Sequence, residues 1–178
     1  MSKTSEIQLR EGWNWISFNI IIDSGSEINT YLKHDEWLDG DIIKTQSAVS
    51  IFNAGQWSTD TGLQYIEFNK MYKIYVTKDI KLMFTGRFPY QEETNQLLSG
   101  NKFWNWIAYP IPEDKQLNDV LISHTNSDYL KNQSTFSSYY SGSWHPYGNL
   151  NALTEGGGYM LYLNGPDKEL NYIDLELE

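Results

Sequence analysis

The sequence predicts an all-β protein with minor helical turns, made of two similar small β-units, sandwich or barrel-like, from an internal tandem repeat. Three observations lead there. First, Trp13-Asn14-Trp15-Ile16 returns as Trp104-Asn105-Trp106-Ile107, a run too rare to occur twice by chance in 178 residues. Second, matches continue in order down both halves. Ile28-Asn29 pairs with Leu117-Asn118, Leu32 with Leu121, Lys44 and Gln46 with Lys131 and Gln133, Phe52 with Tyr139. Gly55 then pairs with Gly142, Trp57 with Trp144, Leu63 with Leu150, Ile66 with Leu153 and Tyr72 with Tyr159. Self-similarity of this kind decides architecture and is sought first. Third, the segments are short, aromatic and β-branched, and are bounded by Gly, Asn, Asp or Ser, which is the strand signature.

The offset between matched residues falls from 91 at Trp13 to 87 at Lys44, as loss of a few loop residues in the second copy would produce. The first unit spans 7–87 and the second 97–173. Residues 88–96, with Pro89 and Glu92-Glu93, form the linker, and 174–178 read as an appended tail. A unit of about 80 residues is near the lower limit for an independent core. The copies are therefore expected to share an apolar interface.

In chain order, Trp13 to Ile20 is a strand with Trp13, Trp15 and Ser17 on one face and Asn14, Ile16 and Phe18 on the other. Ser26 to Lys33 carries Ile28, Tyr31 and Leu32 at helical spacing, with Ser26 as a candidate N-cap. Asp41 to Phe52 reads as a second strand, followed by a turn at Asn53-Ala54-Gly55. Gln56 to Ser58, Met71 to Lys78 and Ile80 to Thr85 are further strands, with a turn at Thr77-Lys78-Asp79. The second copy repeats this as Leu117 to Ser123, Tyr129 to Tyr140, Ser143 to His145, Tyr159 to Leu163 and Glu169 to Ile173.

Composition excludes several function classes. The net charge of −10 argues against a nucleic-acid partner, which needs clustered Lys and Arg, and against an anionic membrane surface. No apolar run approaches the roughly 20 residues of a membrane span. Met1-Ser2-Lys3-Thr4 has no apolar signal region, which says little about location. There are no cysteines, so disulfides and thiolate metal sites are absent and either redox compartment fits.

No motif names a reaction. His34, His124 and His145 show no zinc spacing, and Gly156-Gly157-Gly158 precedes a strand and lacks the Lys-Ser/Thr of a phosphate loop. The acidic stretch Asp35, Glu36, Asp39, Asp41 lacks calcium-loop spacing and reads as a solvated loop. No cofactor and no metal are expected.

Three sets of residues are candidates for binding. Retention of both Trp-Asn-Trp-Ile pairs assigns them to the core, since buried aromatics dominate small cores; an aromatic platform is the competing role. Lys44 with Gln46, and Lys131 with Gln133, lie two apart on one strand face. Two roles fit them: donors to a hydroxyl-rich ligand, or a Gln satisfying loop backbone beside a snorkelling Lys. Trp57 and Trp144 each follow a Gly turn near a loop tip. Around Trp144 the second copy adds Tyr140, His145 and Tyr147, where the first copy has only Phe52 beside Trp57. Aromatics that the repeat does not require make Trp144, Tyr140 and Tyr147 candidate stacking surfaces, with a cluster packed under the loop as the alternative.

The runs Gly12 to Ser17, Asp41 to Gln46, Gly142 to Trp144 and Gly156 to Leu161 resemble the tandem β-repeats of large secreted or cell-surface bacterial proteins. The resemblance covers nearly the whole chain. It implies an extracellular accessory module and no catalytic residues. Ala108 at the place of Ser17, Tyr129-Leu130 for Ile42-Ile43, and Asn69-Lys70 opposite the glycines depart from the pattern.

The expectation is a non-catalytic extracellular or cell-surface binding module for a polysaccharide or glycan, part of a larger protein or enzyme. The alternative is a structural or protein-interaction module of a cell-surface assembly, with other surface proteins as partners.

Overall fold

The computed structural model describes residues 2–60 and 62–172. The first copy runs through β1 (Lys3–Leu9), β2 (Gly12–Ser17), the helical turn α1 (Ile28–Tyr31), β3 (Ile42–Lys44), β4 (Val49–Asn53), β5 (Gln56–Trp57), β6 (Met71–Val76) and β7 (Ile80–Gly86). A short α2 (Gln91–Thr94) leads into β8 (Gln96–Leu98), β9 (Phe103–Ala108), β10 (Lys115–Gln116), α3 (Leu117–Val120) and β11 (Tyr129–Lys131). The chain ends in β12 (Phe136–Tyr140), β13 (Ser143–Gly148), β14 (Ala152–Leu153), β15 (Gly158–Leu163) and β16 (Lys168–Leu170). Ile173 and the tail at 174–178 lie outside the described residues.

The two five-stranded sheets share one strand order: β2-β6-β3-β4-β5 and β9-β15-β11-β12-β13. Each copy adds an antiparallel ribbon, β1-β7 or β8-β16. Ribbon side chains Leu9, Leu82 and Phe84 join Ile16, Ile43, Tyr72 and Ile74 of the sheet in one buried cluster. Leu98 and Leu170 do the same with Ile107, Leu130, Tyr159 and Leu161 in a second, separate cluster. The protein is thus mostly strand, in two like units, each with its own core.

Why these residues form these elements is visible in the turns. Ala54-Gly55 and Ser141-Gly142 have positive φ at both positions. That is the two-residue I′ geometry matching the twist of paired strands. The segment 41–52, expected as one strand, is a hairpin. Thr45 Oγ1 accepts hydrogen bonds from Ser47 N and Ala48 N, and Asn132 Oδ1 accepts from Ser134 N and Thr135 N. These local bonds fold the chain back where a strand pattern alone would run on. The ribbon strands β1 and β8 were not anticipated, and the linker region contains α2 and the start of β8.

A repeated polar framework sits under each loop. Asp41 is fully buried and its carboxylate accepts from Leu38 N, Thr77 N and Thr77 Oγ1. Asp128, at the matching place, accepts from Thr125 N and Asn164 N. Asn29 brackets the backbone of Trp57 through both its amide atoms, as Asn118 does for Trp144. Asp39 holds Ala54 N. The acidic stretch is therefore partly a set of backbone acceptors. Among the described residues no group of three or more His, Cys, Asp or Glu is gathered as a metal site.

The Trp pairs are not core residues. On β2 it is Ile16 that enters the first cluster, and on β9 Ile107 enters the second. Trp15, Trp104 and Trp106 are half-buried and Trp13 is exposed. Strand alternation forces this choice, because Asn14 and Asn105 must reach the preceding turns, where they bind Arg10 and Ser99 backbone. The Trp15 and Trp106 rings consequently turn toward the junction of the copies, while Trp13 and Trp104 pack on Tyr75 and Tyr162 of their own sheets.

That contact is aromatic and polar, where an apolar one was expected. Lys73 Nζ lies 3.9 Å from the Trp15 ring centre and 4.2 Å from that of Trp106, between the copies. β2 and β9 are edge strands of their sheets. Gln46 reaches across to β9, donating to Trp104 O at 2.8 Å and accepting from Trp106 N at 3.0 Å. Gln133 donates to Trp13 O on β2 at 2.5 Å. A side-chain amide thus takes the place of a neighbouring strand, which protects the edge. Ser17 N donates to Gly156 O, and Ser17 Oγ donates to Gly157 O.

One of the three glycines follows from this approach, and another from its own turn. Gly156 has φ +67°. A Cβ on Gly158 would lie 2.8 Å from the backbone N and O of Ile16 in the other copy. Gly158→Ala is expected to cost about 1–3 kcal/mol, the usual range for forced overpacking, in a urea melt. An unchanged midpoint would show that the copies do not sit this close.

Candidate functional site

The nine residues expected to bind divide into three groups. Trp144 and Trp57 leave the set as stacking surfaces, being only 3% and 2% exposed. Their rings turn inward because each is enclosed by other rings. Trp144 packs edge-on against His124 and Tyr139, and Trp57 against Trp37 and Phe52. Trp144 Nε1 donates to Leu121 O, and in the first copy Trp37 Nε1 donates to Leu32 O instead. Gln46 and Gln133 are engaged with the opposite copy's edge strand, so backbone satisfaction is the role the structure gives them.

Tyr140, His145, Tyr147, Lys131 and Lys44 remain. In the second sheet the first four share the outer face. Tyr140 and Tyr147 are 58% and 71% exposed. His145 stacks on Tyr147 with ring centres 5.8 Å apart and planes 20° apart. Its Nε2 donates to Tyr140 O at 2.9 Å, which holds the imidazole in place. Ser143 Oγ lies 3.1 Å from the same nitrogen.

The pairing register extends this face in both directions. Tyr129 lies opposite Ser138, and Ser138 opposite His145. On its other side Tyr129 lies opposite Tyr162, which lies opposite Trp104. The Trp104 and Tyr162 rings are 5.3 Å apart, and Lys131 Nζ sits 4.7 Å from the Trp104 ring centre. Tyr129 and Phe136 are also exposed. A row of rings, Trp104, Tyr162 and Tyr129, therefore crosses the sheet and resumes beyond Ser138 at His145, with Tyr140, Tyr147 and Phe136 beside it. The first copy has Trp13 and Tyr75 at one end, 5.4 Å apart, with Lys44 Nζ 4.6 Å from the Trp13 ring centre. Its remaining outer strand positions are Ile42, Val49, Ile51, Asn53 and Gln56, with Ser58 and Asp60 in the loop after β5. The extended aromatic face belongs to the second copy alone.

Tyr129, Phe136, Tyr162, Tyr75 and Lys73 were missed. The alternation of β11, β12 and β15 places the first three on one face, but only the pairing register shows that they meet. Lys73 carried a signal in the departure of the copies: its repeat partner is Met160, opposite Lys131.

A cleft of about 480 Å³ opens on the other side of β9, lined by Gln46, Asn69, Lys70, Met71, Gln96 and Trp106 among others. It lacks a converging pair of carboxylates or a nucleophile with a base. Burial beneath the aromatic face produces the clearest electrostatic feature. His124 Nδ1 is 3.0 Å from Asp128 Oδ2, with both side chains enclosed. Burial holds His124 below its ordinary 6.5, against the opposing pull of Asp128. Burial pushes Asp128 up, but hydrogen bonds from His124, Thr125 N and Asn164 N outweigh it and hold the carboxyl below 3.8. Nδ1 therefore carries the proton, and Nε2 has no hydrogen-bond partner among the described residues.

With this geometry in hand, comparison with protein-family models, with curated proteins and with solved structures yields no match. No helix among the described residues is long and apolar enough to cross a membrane.

Two outcomes follow for the buried layer. Trp144→Ala is expected to cost roughly 3–5 kcal/mol in denaturant melts, as for other buried large aromatics; a cost under about 1 kcal/mol would place the ring at the surface. The folded state keeps His124 neutral, so the unfolded chain takes up the proton first as pH falls below 6.5. Stability is then lost on acidification from that point downward. Melting temperatures of His124→Gln, which retains a donor to Asp128, are expected to lack that part of the decline; an identical acid slope would refute the assignment.

Proposed function

We propose that this protein is a non-catalytic carbohydrate-binding module that serves as an accessory part of a larger extracellular or cell-surface protein. One observation carries the reading: the second sheet presents exposed rings, Tyr129, Phe136, Tyr140 and Tyr147, that its own core does not use and that the first copy lacks. Tyrosine offers an apolar face and a polar edge, the combination that suits a sugar with C–H surfaces and hydroxyls. Tyr140, Tyr147 and Tyr129 supply the faces, and Lys131 and the hydroxyl of Ser138 line the same sheet surface. The likeness of the repeat to those of secreted bacterial proteins supports the extracellular assignment. Open faces of this kind bind weakly, since association costs offset most of the contact energy.

A structural or protein-interaction module is the second reading. It draws on Leu97, Phe103 and Ile122, apolar side chains exposed elsewhere on the second copy. Apolar groups without a polar edge suit a protein surface better than a sugar.

Calorimetric titration against soluble polysaccharides separates the two. The double variant Tyr140→Ala/Tyr147→Ala is expected to weaken binding at least tenfold, about 1.4 kcal/mol, with its melting temperature nearly unchanged. No polysaccharide bound by the wild type would move the assignment to the structural module, and unaltered affinity in the variant would remove the aromatic face as the site.

A further inference from the structure

Three lysines converge where the two copies meet, and their company is unusual for this chain. The sequence has 23 Asp and Glu against 13 Lys and Arg. Arg10, Lys70, Lys81, Arg87 and Lys115 each hold a carboxylate. Lys44, Lys73 and Lys131 form no ion pair among the described residues; each ammonium instead lies over indole rings. Lys44 faces Trp13, Lys131 faces Trp104, and Lys73 lies between Trp15 and Trp106.

The arrangement is costly as it stands. Lys44 and Lys73 are directly opposite each other on paired strands. Like charges in that relation destabilise a sheet. Burial, and then the charges of Lys44 and Lys131, hold the Lys73 ammonium below its ordinary value. The indole rings return only about 0.5–2 kcal/mol each. With acids in such excess, a nearby Asp or Glu would have relieved the repulsion, yet none among the described residues pairs with them. Breaches of a local rule of this kind are expected where a site serves a ligand. Lys131 also shares a strand face with Tyr129, two residues away, so the positive cluster adjoins the aromatic row.

We propose that Lys44, Lys73 and Lys131 make the aromatic face selective for an acidic polysaccharide, one whose carboxylate or sulfate groups settle among the three ammonium groups while its sugar rings lie on the tyrosines. This rests on the carbohydrate reading above and names its ligand class. Lys73, clasped by two rings from different copies, fixes the position of the cluster. Lys44 and Lys131, half-buried at its margins, meet the ligand.

The test uses ligands that share a backbone and differ in charge. Polygalacturonate is compared with its methyl ester, and dextran sulfate with dextran, by calorimetry at about 20 and 200 mM salt, where screening differs strongly. At least one acidic polymer is expected to bind ten times or more tighter than its neutral partner, with the advantage shrinking at the higher salt. Preference for polygalacturonate assigns the carboxylate, and preference for dextran sulfate the sulfate ester. Lys44→Gln/Lys131→Gln is expected to erase the preference; far-ultraviolet dichroism and a melt confirm that it is folded, and the single variants replace it where it is not. Equal affinity for charged and neutral partners, or a preference that survives the lysine substitutions, overturns this inference and leaves the carbohydrate reading standing. Failure of all four polymers to bind overturns both.

Discussion

Each repeat closes its own hydrophobic centre but turns one edge strand of its sheet, paired on one side only, toward the other repeat. β2 and β9 are those strands, and everything at the middle of the molecule answers to them. A bare strand edge offers unpaired amides and carbonyls to any passing chain. Here the loop of one copy extends a glutamine to the edge of the other, and the exchange is reciprocal through Gln46 and Gln133. Trp15 and Trp106 of the edge strands then border the gap between the copies, and the gap must be filled by something compatible with indole faces. Lysine meets that demand, with its long apolar stem and a cation for the ring. The edge thus determines the aromatic pair, the aromatic pair determines the lysines, and the lysines give an acidic protein a positive centre.

Much of this order could be read in the sequence, and the limits have physical reasons. The tandem repeat, the strand-rich class and the Gly turns at Gly55 and Gly142 follow from local patterns. Alternation also separated Trp13, Trp15 and Ser17 from Asn14, Ile16 and Phe18. It could not say which set faces inward, because size and hydrophobicity favour tryptophan, whereas the decisive need was the hydrogen bonding of Asn14 and Asn105 to their turns. Trp144 shows the converse error. A ring after a turn invites a surface role, but Asn118 pins its backbone and Leu121 O takes its N–H, so it is drawn beneath the loop. Of the site, Tyr140, His145, Tyr147 and Lys131 were legible as departures or repetitions along the chain. Tyr129, Tyr162 and Trp104 became neighbours only through strand pairing between distant segments, which single-sequence periodicity does not encode.

Comparison of one copy with the other separates what folding requires from what it leaves free. Asp41 and Asp128, Asn29 and Asn118, Tyr72 and Tyr159 keep both residue and bond. The outer face keeps almost nothing beyond its first two columns: where the first copy has Asn53, and Ser58 and Asp60 after its last strand, the second shows Tyr140, His145 and Tyr147. Positions without a duty to the core have diverged toward rings in only one unit, and this is why that unit bears the candidate face.

The place of Lys73 has a bearing on how such a molecule arises. Two identical chains meeting through the same reciprocal contact would obey a two-fold axis, and every residue near the axis would meet its own image. Two copies of the first unit would then force a second ammonium against Lys73, and two copies of the second would leave Met160 facing Met160 with no cation for the indoles. Joined in one chain, the halves are released from self-complementarity. One supplies the charge and the other the thioether, whose sulfur lies 3.5 Å from Lys73 Nζ. The covalent link that holds the halves at high effective concentration therefore also permits an axis occupied by unlike residues, which no symmetric pair of chains can have.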